Sequence, residues 1–349
     1  MRETEEQSGL REAVRAVLAR HEGAAAWEPL TRQIGVAALG VPETYGGLGC
    51  GPAEVHVVME ELGRSLSPVP YLGSAVLAAQ ALVVAGESAE ELAADRIGAL
   101  AWAENGSWEP GAIRSLAAPD GGRWLLTGVK EHVLCGDSAS VLLAFARMPG
   151  GRLGLFRLDG AGVRREPCGV LDRTRPQARL VLDRAPAALV GPAGAEGARI
   201  LARVRDLACT ALAAESVGAA ARCLELTVAY AGQRVQFGRT IGSFQAVKHR
   251  LADVYTAVEA ARSLALGAAH ADAEPVLAAA ARSACSEALS LAAAEMIQLH
   301  GGMGITWEHD AHRYFKRAHG DAHLLGTPAA HRRRIGSAVL AGLRTADGP

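Results

Sequence analysis

Two segments about sixty residues apart contain residue types that suit the binding of a dinucleotide. The first, Arg234–Gln245, begins with an arginine, whose planar guanidinium can donate two parallel hydrogen bonds to a pyrophosphate. The second, Gln298–Gly304, contains three glycines, and without a Cβ atom their backbone N–H groups can closely approach a phosphate or a ribose. Each segment alone has a simpler interpretation, as a glycine turn that closes a helix or as a solvated surface arginine. Together they predict a flavin enzyme.

This pair of segments resembles the acyl-CoA dehydrogenase family, whose members carry R-x-x-F-G…Q followed by Q-x-x-G-G-x-G in a C-terminal helical domain. The resemblance implies an FAD-dependent α,β-dehydrogenation of an acyl-CoA thioester, with an electron-transfer flavoprotein or a similar protein as the electron acceptor. It extends over nearly the whole chain, through Val41–Gly49, Glu60–Arg64, Leu126–Lys130 and Trp307–Lys316.

The catalytic base of that family has no counterpart in this chain. In most members a glutamate directly precedes a Gly-Thr pair, and the matching position here is Leu325; in others the glutamate lies on the first long C-terminal helix, and ungapped counting places it at Ala208. Neither side chain can accept a proton. Glu215 and Asp206, on the same helix, are the candidates for a substitute. The preferred interpretation is structural: Glu215 pairs with an arginine such as Arg222 or bridges helices, and Asp206 complements the helix dipole in the first turn.

The residues that hold the flavin ring in the family also differ. The family's T-E-P-x-x-G-S-D segment aligns with Ala103–Pro110, and its K-x-W-I-T-N segment aligns with Lys130–Gly136. His132 then stands where a tryptophan stacks on the ring, and Leu134 stands where a threonine hydrogen-bonds it. Leucine has neither a donor nor an acceptor for that bond. The glutamine that usually follows the Gly-Thr pair is replaced by Ala329.

The residues for the adenosine end of FAD are retained. In homotetrameric relatives these residues contact the FAD of a neighbouring subunit. The predicted cofactor-binding residues are Arg234, Phe237, Gln245, Gln298, Gly301, Gly302, Gly304 and Thr327.

This separation of lost and retained residues resembles the less catalytic subunit of heteromeric bacterial acyl-CoA dehydrogenases, such as those acting on steroid side-chain thioesters. The resemblance implies a heterotetramer in lipid or steroid catabolism, with FAD shared across the interface with a second, catalytic acyl-CoA dehydrogenase-like subunit. Two alternatives stay open. One is a self-sufficient flavin acyl-thioester dehydrogenase that uses Glu215 or Asp206 as its base, and the other is a flavin-free scaffold or binding subunit.

The hydrophobic pattern predicts an α+β fold that is mainly α. Apolar residues at helical spacing near the N-terminus give way to short apolar runs separated by glycine, proline and aspartate, and then to long alanine- and leucine-rich helices. We therefore expect an N-terminal helical domain (1–96), a middle small β-barrel or sheet domain (97–195) and a C-terminal four-helix bundle (196–349). The four predicted helices are Ala198–Ala231, Phe244–Ala269, Glu274–Leu299 and Ala329–Arg344.

Composition narrows the partners. The 36 basic and 37 acidic side chains are scattered, so there is no positive field to attract nucleic acid. No apolar run approaches the ~20 residues that span a bilayer, and the first residues are polar, so we expect a cytoplasmic protein without a membrane partner. The six cysteines have no metal-binding or disulfide spacing, which predicts reduced and mostly buried thiols. His309 and His312 are interpreted as the polar start of a helix, and no metal site is expected.

Overall fold

The computed structural model describes residues 3–346, and it has an α+β architecture dominated by helices. By its internal contacts the described chain divides into two compact units. Residues 4–55 and 68–208 form what we call the N-terminal unit, and residues 3, 56–67 and 209–346 form the C-terminal unit. Helices end at Ala94, strands run from Gly98 to Val190, and helices resume at Ala195. The division into three domains stays a prediction.

The helices of the first hundred residues are short to medium in length. Thr4 starts the first helix with a capping box, in which its side chain accepts from the Gln7 N–H and the Gln7 side chain accepts from the Thr4 N–H. Several short helical turns join the elements of this region. The helices are α1 (Glu5–Arg20), α2 (Pro52–Ser65), α3 (Ala79–Val84, continuing a π-helical stretch Leu72–Ala78) and α4 (Glu90–Ala94).

The strands of the N-terminal unit form one seven-stranded sheet. Its pairings close on themselves through β4, β2, β3, β7 and β5, so the sheet is a small barrel with β1 and β6 added at the edges. The core of the barrel is apolar and includes Leu126, Phe156 and Leu180. The strands are β1 (Gly98–Ala101), β2 (Leu116–Asp120), β3 (Arg123–Leu134), β4 (Val141–Arg147), β5 (Leu153–Leu158), β6 (Val163–Pro167) and β7 (Gln177–Val190).

Long helices dominate the rest of the chain. Glu274 starts one of them by accepting from the Val276 and Leu277 N–H groups, with Pro275 at the first helical position. The four long helices agree with the predicted ones to within about three residues at each end, and one further helix lies between the last two. They are α5 (Ala195–Gln233), α6 (Gln245–His270), α7 (Pro275–His300), α8 (Ala311–Asp321) and α9 (Pro328–Ala346), with a small hairpin, β8 (Val235–Gln236) and β9 (Arg239–Thr240), after α5.

Helices α2 and α5 cross at two reciprocal glycine contacts in the C-terminal unit. A Cβ atom on Gly63 would lie 2.0 Å from the Glu215 carbonyl oxygen, and one on Gly218 would lie 1.9 Å from the Glu60 carbonyl oxygen. Only residues without a side chain allow two helix backbones to approach this closely. The crossing therefore depends on both glycines.

Two expectations from composition need correction. The stretches Glu196–Gln233 and Pro275–Ile305 are long and apolar enough to span a membrane, but 83% and 61% of their most apolar windows are buried inside the protein, which is typical of core helices. The six cysteines are free, as expected, but only Cys209, Cys223 and Cys285 are buried, so burial applies to half of them. The alanine content explains the first result, because alanine raises the mean hydropathy of a helix while leaving room for close packing.

Candidate functional site

The two predicted cofactor segments meet at one end of the C-terminal unit. Arg234 directly follows α5, and the glycine segment directly follows α7. Tyr230 in the last turn of α5 stacks on His300 at the end of α7, with ring centroids 4.3 Å apart and an interplanar angle of 21°. Segments about sixty residues apart in sequence thus share one surface.

Arg234 and Phe237 lie on a tight hairpin. The two central residues, Phe237 and Gly238, have φ angles of +53° and +76°, which matches the left-handed turns that join two short antiparallel strands. The Arg234 carbonyl accepts from the Ile241 N–H at 2.8 Å and closes the base of the hairpin. Arg234 is exposed, and Phe237 at the tip is 92% exposed. The hairpin thus directs a guanidinium and an aromatic ring away from the protein.

The glycine segment has an open side and a packed side. Gly301 and Gly302 are exposed, and a Cβ atom built on either would meet nothing within 4 Å, so a ligand can approach their backbone. Gly304 is buried, and its Cβ atom would lie 3.0 Å from the Ile297 carbonyl oxygen, so packing requires this glycine. Gln298 is exposed beside them. The segment therefore combines a free backbone surface with a fixed anchor.

The other two predicted contacts lie at the starts of helices. Gln245 is the exposed first residue of α6. Thr327 is half-buried just before α9, and its side-chain oxygen accepts from the Ala330 N–H at 3.3 Å. For all eight residues the role in cofactor binding stays a prediction.

His300 supports the glycine segment from below, and its role was missed from the sequence although it lies inside the motif. It is buried, and its Nδ1 atom lies 2.7 Å from the Met296 carbonyl oxygen, so Nδ1–H donates. Burial lowers the pKa of His300, the Met296 bond raises it, and His309, with its ring 4.4 Å away, lowers it further. His300 is therefore held as a neutral ring between Tyr230 and His309.

The two family base positions are apolar and buried. Leu325 is 2% exposed, and Ala208 is fully buried. Leu325 has a φ of +60°, which is unusual for a leucine. The loop around it is held by Arg282 of α7, which is buried and donates to the Asp321 and Leu324 carbonyls.

The structure corrects the expected surroundings of the two substitute carboxylates. Glu215 is buried and forms an ion pair with Arg317 of α8, so it bridges helices as expected, but with a different arginine. Arg222 pairs instead with Glu225, at 3.3 Å. Asp206 does not lie in the first turn of its helix, because α5 begins at Ala195, about three turns earlier. It is buried beside the Arg205 guanidinium, with Nε 3.9 Å from its Oδ1.

The positions predicted from the alignment to face a flavin ring, His132 and Leu134, lie in the N-terminal unit. Leu134 is buried and apolar. His132 is exposed, and its Nδ1 lies 3.0 Å from the Gln177 side-chain oxygen. Trp108 stacks on His132, with centroids 6.1 Å apart and an interplanar angle of 28°. The Trp108 contact could not be read from alignment, which gives the substituted residue but not where its side chain lies.

A buried ion pair lies in the same region. Lys130 is fully buried, and its Nζ atom lies 2.5 Å from a Glu104 carboxylate oxygen and 2.5 Å from the Phe145 carbonyl oxygen. Burial lowers the pKa of Lys130 to about 8, although Glu104 opposes that shift. Glu104 also accepts from the Arg114 and Ser115 N–H groups. All these partners belong to the N-terminal unit, so the Lys130–Glu104 pair holds the loop between β1 and β2 in place.

Comparison with known proteins agrees with these motifs. Residues 4–91 match the acyl-CoA dehydrogenase N-terminal domain, and residues 196–340 match the acyl-CoA dehydrogenase C-terminal domain. The sequence is 42% identical to acyl-CoA dehydrogenase IpdE2 of Mycobacterium tuberculosis, over 96% of this chain and 98% of that protein. The chain belongs to the acyl-CoA dehydrogenase family.

Two solved structures have the same fold. One is a variant of the Tcur3481–Tcur3483 steroid ACAD, which is 30% identical over 97% of this chain and 99% of that one, with a TM-score of 0.87. The other is the ChsE4–ChsE5 complex from Mycobacterium tuberculosis, which is 29% identical over 97% of this chain and 98% of that one, with a TM-score of 0.86. Each of these two structures is named for two polypeptides.

Family membership implies FAD, and the two halves of the site fit it differently. On the C-terminal unit an exposed guanidinium, an exposed amide and open glycine backbone suit a pyrophosphate and an adenosine. On the N-terminal unit a flavin ring would lack the hydrogen bond that Leu134 cannot make, and Trp108 stacks on one side of the exposed His132. Among residues 3–346, no group of three or more His, Cys, Asp or Glu is arranged to hold a metal ion.

Proposed function

We propose that this chain is the less catalytic subunit of a heteromeric FAD-dependent acyl-CoA dehydrogenase. Its C-terminal unit binds the adenosine end of an FAD whose ring is held by a second acyl-CoA dehydrogenase-like subunit. The observation that carries the proposal is the separation of the two halves. The segments around Arg234 and Gly301 are brought together by the Tyr230–His300 stack, whereas the two positions aligned with the family base are the buried Leu325 and Ala208.

In the proposed complex each subunit has a distinct task. A carboxylate of the partner removes the α-proton of the acyl thioester, the β-hydrogen leaves with its electron pair, and a double bond forms between the two carbons. FAD, when bound, supplies the ring that accepts this hydride and later passes the electrons to an acceptor such as an electron-transfer flavoprotein. Arg234 would bind the pyrophosphate, and Gln298 and the glycine backbone would bind the adenosine side.

The proposed substrate is a steroid-derived acyl-CoA thioester. Its support is the similarity, over nearly the full length, to a structure described as a steroid ACAD. The proposed assembly is a cytoplasmic heterotetramer, and its support is that two similar structures are named for two polypeptides each.

The self-sufficient enzyme has less support, because its best candidate base is engaged elsewhere. Glu215 is buried and forms an ion pair with the buried Arg317 of α8, so its carboxylate already binds a side chain of its own unit. A flavin-free scaffold would not need an exposed arginine beside open glycine backbone.

The first test is the flavin content of the purified protein, alone and after co-expression with a family member that has the glutamate and the ring-binding motifs. We expect flavin only in the complex, at about one per pair of chains. One flavin per chain in the protein alone would refute the proposal, and a complex without flavin would favour the scaffold.

The second test is Arg234→Ala in the complex. Losing a charge-assisted bond to phosphate costs about 1.5–3 kcal/mol, so FAD should bind roughly 10- to 100-fold more weakly. Arg239→Ala is the matched control, because Arg239 lies on the same hairpin but over the Phe244 ring, 3.9 Å from its centroid. Equal retention of flavin in both variants would contradict the role of Arg234.

A further inference from the structure

The loop after β1 is held by hydrogen bonds and ring contacts, and Trp108 is its central side chain. Asn105 and Gly106 have φ angles of +53° and +67°, and Glu104 and Ser107 exchange two backbone hydrogen bonds of 3.1 and 3.0 Å across them. This is the tight turn that an Asn-Gly pair favours. The turn reverses the chain and brings Trp108 back towards Trp102.

Trp108 is held on two sides by aromatic rings. It stacks on His132, and its other contact is an edge-on approach to the buried Trp102, with centroids 5.0 Å apart. Trp102 also donates from Nε1 to the Trp108 carbonyl at 3.1 Å. Arrangements of this kind add to the free energy gained from burial alone.

The backbone of the loop is fixed as well. The Gly106 N–H donates to a Glu131 carboxylate oxygen at 2.7 Å, and Glu131 is next to His132 in the sequence. The Arg114 N–H donates to Glu104 at 2.6 Å on the other side of the loop. These bonds fix the backbone of the loop, and the ring contacts with Trp102 and His132 place the Trp108 indole.

The residue types of Trp108 and Glu109 also disfavour a bound flavin. The T-E-P-x-x-G-S-D pattern has glycine and serine where this chain has Trp108 and Glu109. Glycine and a hydroxyl allow a flavin and its phosphates to approach, whereas an indole occupies volume and a carboxylate repels phosphate. Glu109 has 58% of its side chain exposed, and its carboxylate lies 4.0 Å from the Arg205 guanidinium.

We propose that Trp108 closes the ring position of this chain by covering the face of His132 that an isoalloxazine would need. Trp108 is then a specificity-determining residue that leaves the proposed complex with one flavin per pair of chains. The inference rests on the proposed function for its meaning, but the closure concerns only the N-terminal unit.

The test is a titration of the full-length chain with lumiflavin, in which binding is measured by the quenching of lumiflavin fluorescence. Lumiflavin is a flavin ring without ribityl, phosphate or adenosine groups. Trp108→Gly should bind lumiflavin at least about tenfold more tightly than wild type, because a planar ring can then stack on His132. Trp108→Gly combined with His132→Trp should bind it more tightly still. Trp108→Phe should behave like wild type, since it keeps an aromatic ring in place.

Trp307→Gly is the matched control, because Trp307 is a 79% exposed tryptophan of the C-terminal unit. It should leave lumiflavin binding at the wild-type level. Circular dichroism spectra that match wild type verify that each variant is folded. The proposal is overturned if wild type binds lumiflavin as tightly as Trp108→Gly does, or if lumiflavin affinity rises neither in Trp108→Gly nor in its combination with His132→Trp.

This result is separable from that for the proposed function. Lumiflavin lacks the pyrophosphate that Arg234 is proposed to bind, so Arg234→Ala should not change the titration. A gain in Trp108→Gly together with unchanged FAD content in Arg234→Ala would support the closure and refute the adenosine-side proposal. No gain in Trp108→Gly together with a loss of FAD in Arg234→Ala would refute the closure and support the adenosine-side proposal.

Discussion

Replacing Gly218 by alanine should strongly destabilise the C-terminal unit. The new Cβ atom would lie 1.9 Å from the Glu60 carbonyl oxygen, whereas ordinary van der Waals contact begins near 3.4 Å. The helix backbone fixes the position of the Cβ atom, and the Glu60 oxygen belongs to the backbone of α2. No side-chain rotation therefore relieves the clash, and α2 and α5 must separate by about 1.5 Å.

The cost follows from two opposing effects. Overpacking of this severity costs about 3–4 kcal/mol, and the better helix propensity of alanine returns up to about 1 kcal/mol, so the free energy of unfolding should fall by about 2–3 kcal/mol. For a unit of this size, that corresponds to a thermal midpoint lower by roughly 5–10 °C. Thermal unfolding followed by circular dichroism measures the shift.

Gly232 provides the matched control on the same helix. It is exposed, and a Cβ atom there would meet nothing within 4 Å, so Gly232→Ala should leave the midpoint unchanged or raise it slightly. Gly63→Ala should resemble Gly218→Ala, because its Cβ atom would lie 2.0 Å from the Glu215 carbonyl oxygen. The double variant should cost less than the sum of the two, since one separation accommodates both atoms. If Gly218→Ala were as mild as Gly232→Ala, the close helix crossing would be wrong.

Two other substitutions test buried polar contacts. Glu215→Gln should lower the free energy of unfolding by about 3–5 kcal/mol, because it removes the charge that faces buried Arg317; the same change at surface Glu287, paired with Arg332, should cost under ~1 kcal/mol in urea unfolding. His300 has its pKa lowered from 6.5 by burial, so between its folded and unfolded pKa values the unfolded chain binds more protons. The contribution of His300 to stability is therefore fully present above pH 6.5 and is lost as the pH falls through the folded pKa. His300→Phe keeps a ring against Tyr230 and should reduce the loss of thermal midpoint between pH 7.5 and pH 5; an unchanged pH profile would exclude His300 as its source.

Much of the helical part could be predicted because its signals are local. The start of α7 follows from Glu274-Pro275, and apolar spacing gives its length. Helix α8 was not among the four predicted long helices, although its start was expected at His309 and His312, because its sequence is rich in polar and charged residues and its buried face includes Arg317. The pairing of Arg317 with Glu215 joins residues about a hundred positions apart, and no local pattern indicates such a contact.

The candidate site was predictable where residue type decides the chemistry, and less so where packing does. Matching of motifs placed Arg234 and Gln298 in one site, and the Tyr230–His300 stack brings their segments together. The position of Trp108 depends on a turn at Asn105-Gly106 and on the rings of Trp102 and His132. An Asn-Gly pair is a strong turn signal, so the turn itself was within reach of sequence reasoning.

The left-handed backbone at Leu325 shows what can change in an enzyme loop without altering its shape. A leucine at a φ of +60° costs energy, so the side chain does not create this conformation. It is the buried Arg282, through the Asp321 and Leu324 carbonyls, that holds the loop, and Arg282 belongs to a different helix. Shape and chemistry at this position are thus specified by different residues. A change of side chain at position 325 can therefore add or remove a proton acceptor without touching the contacts that hold the loop.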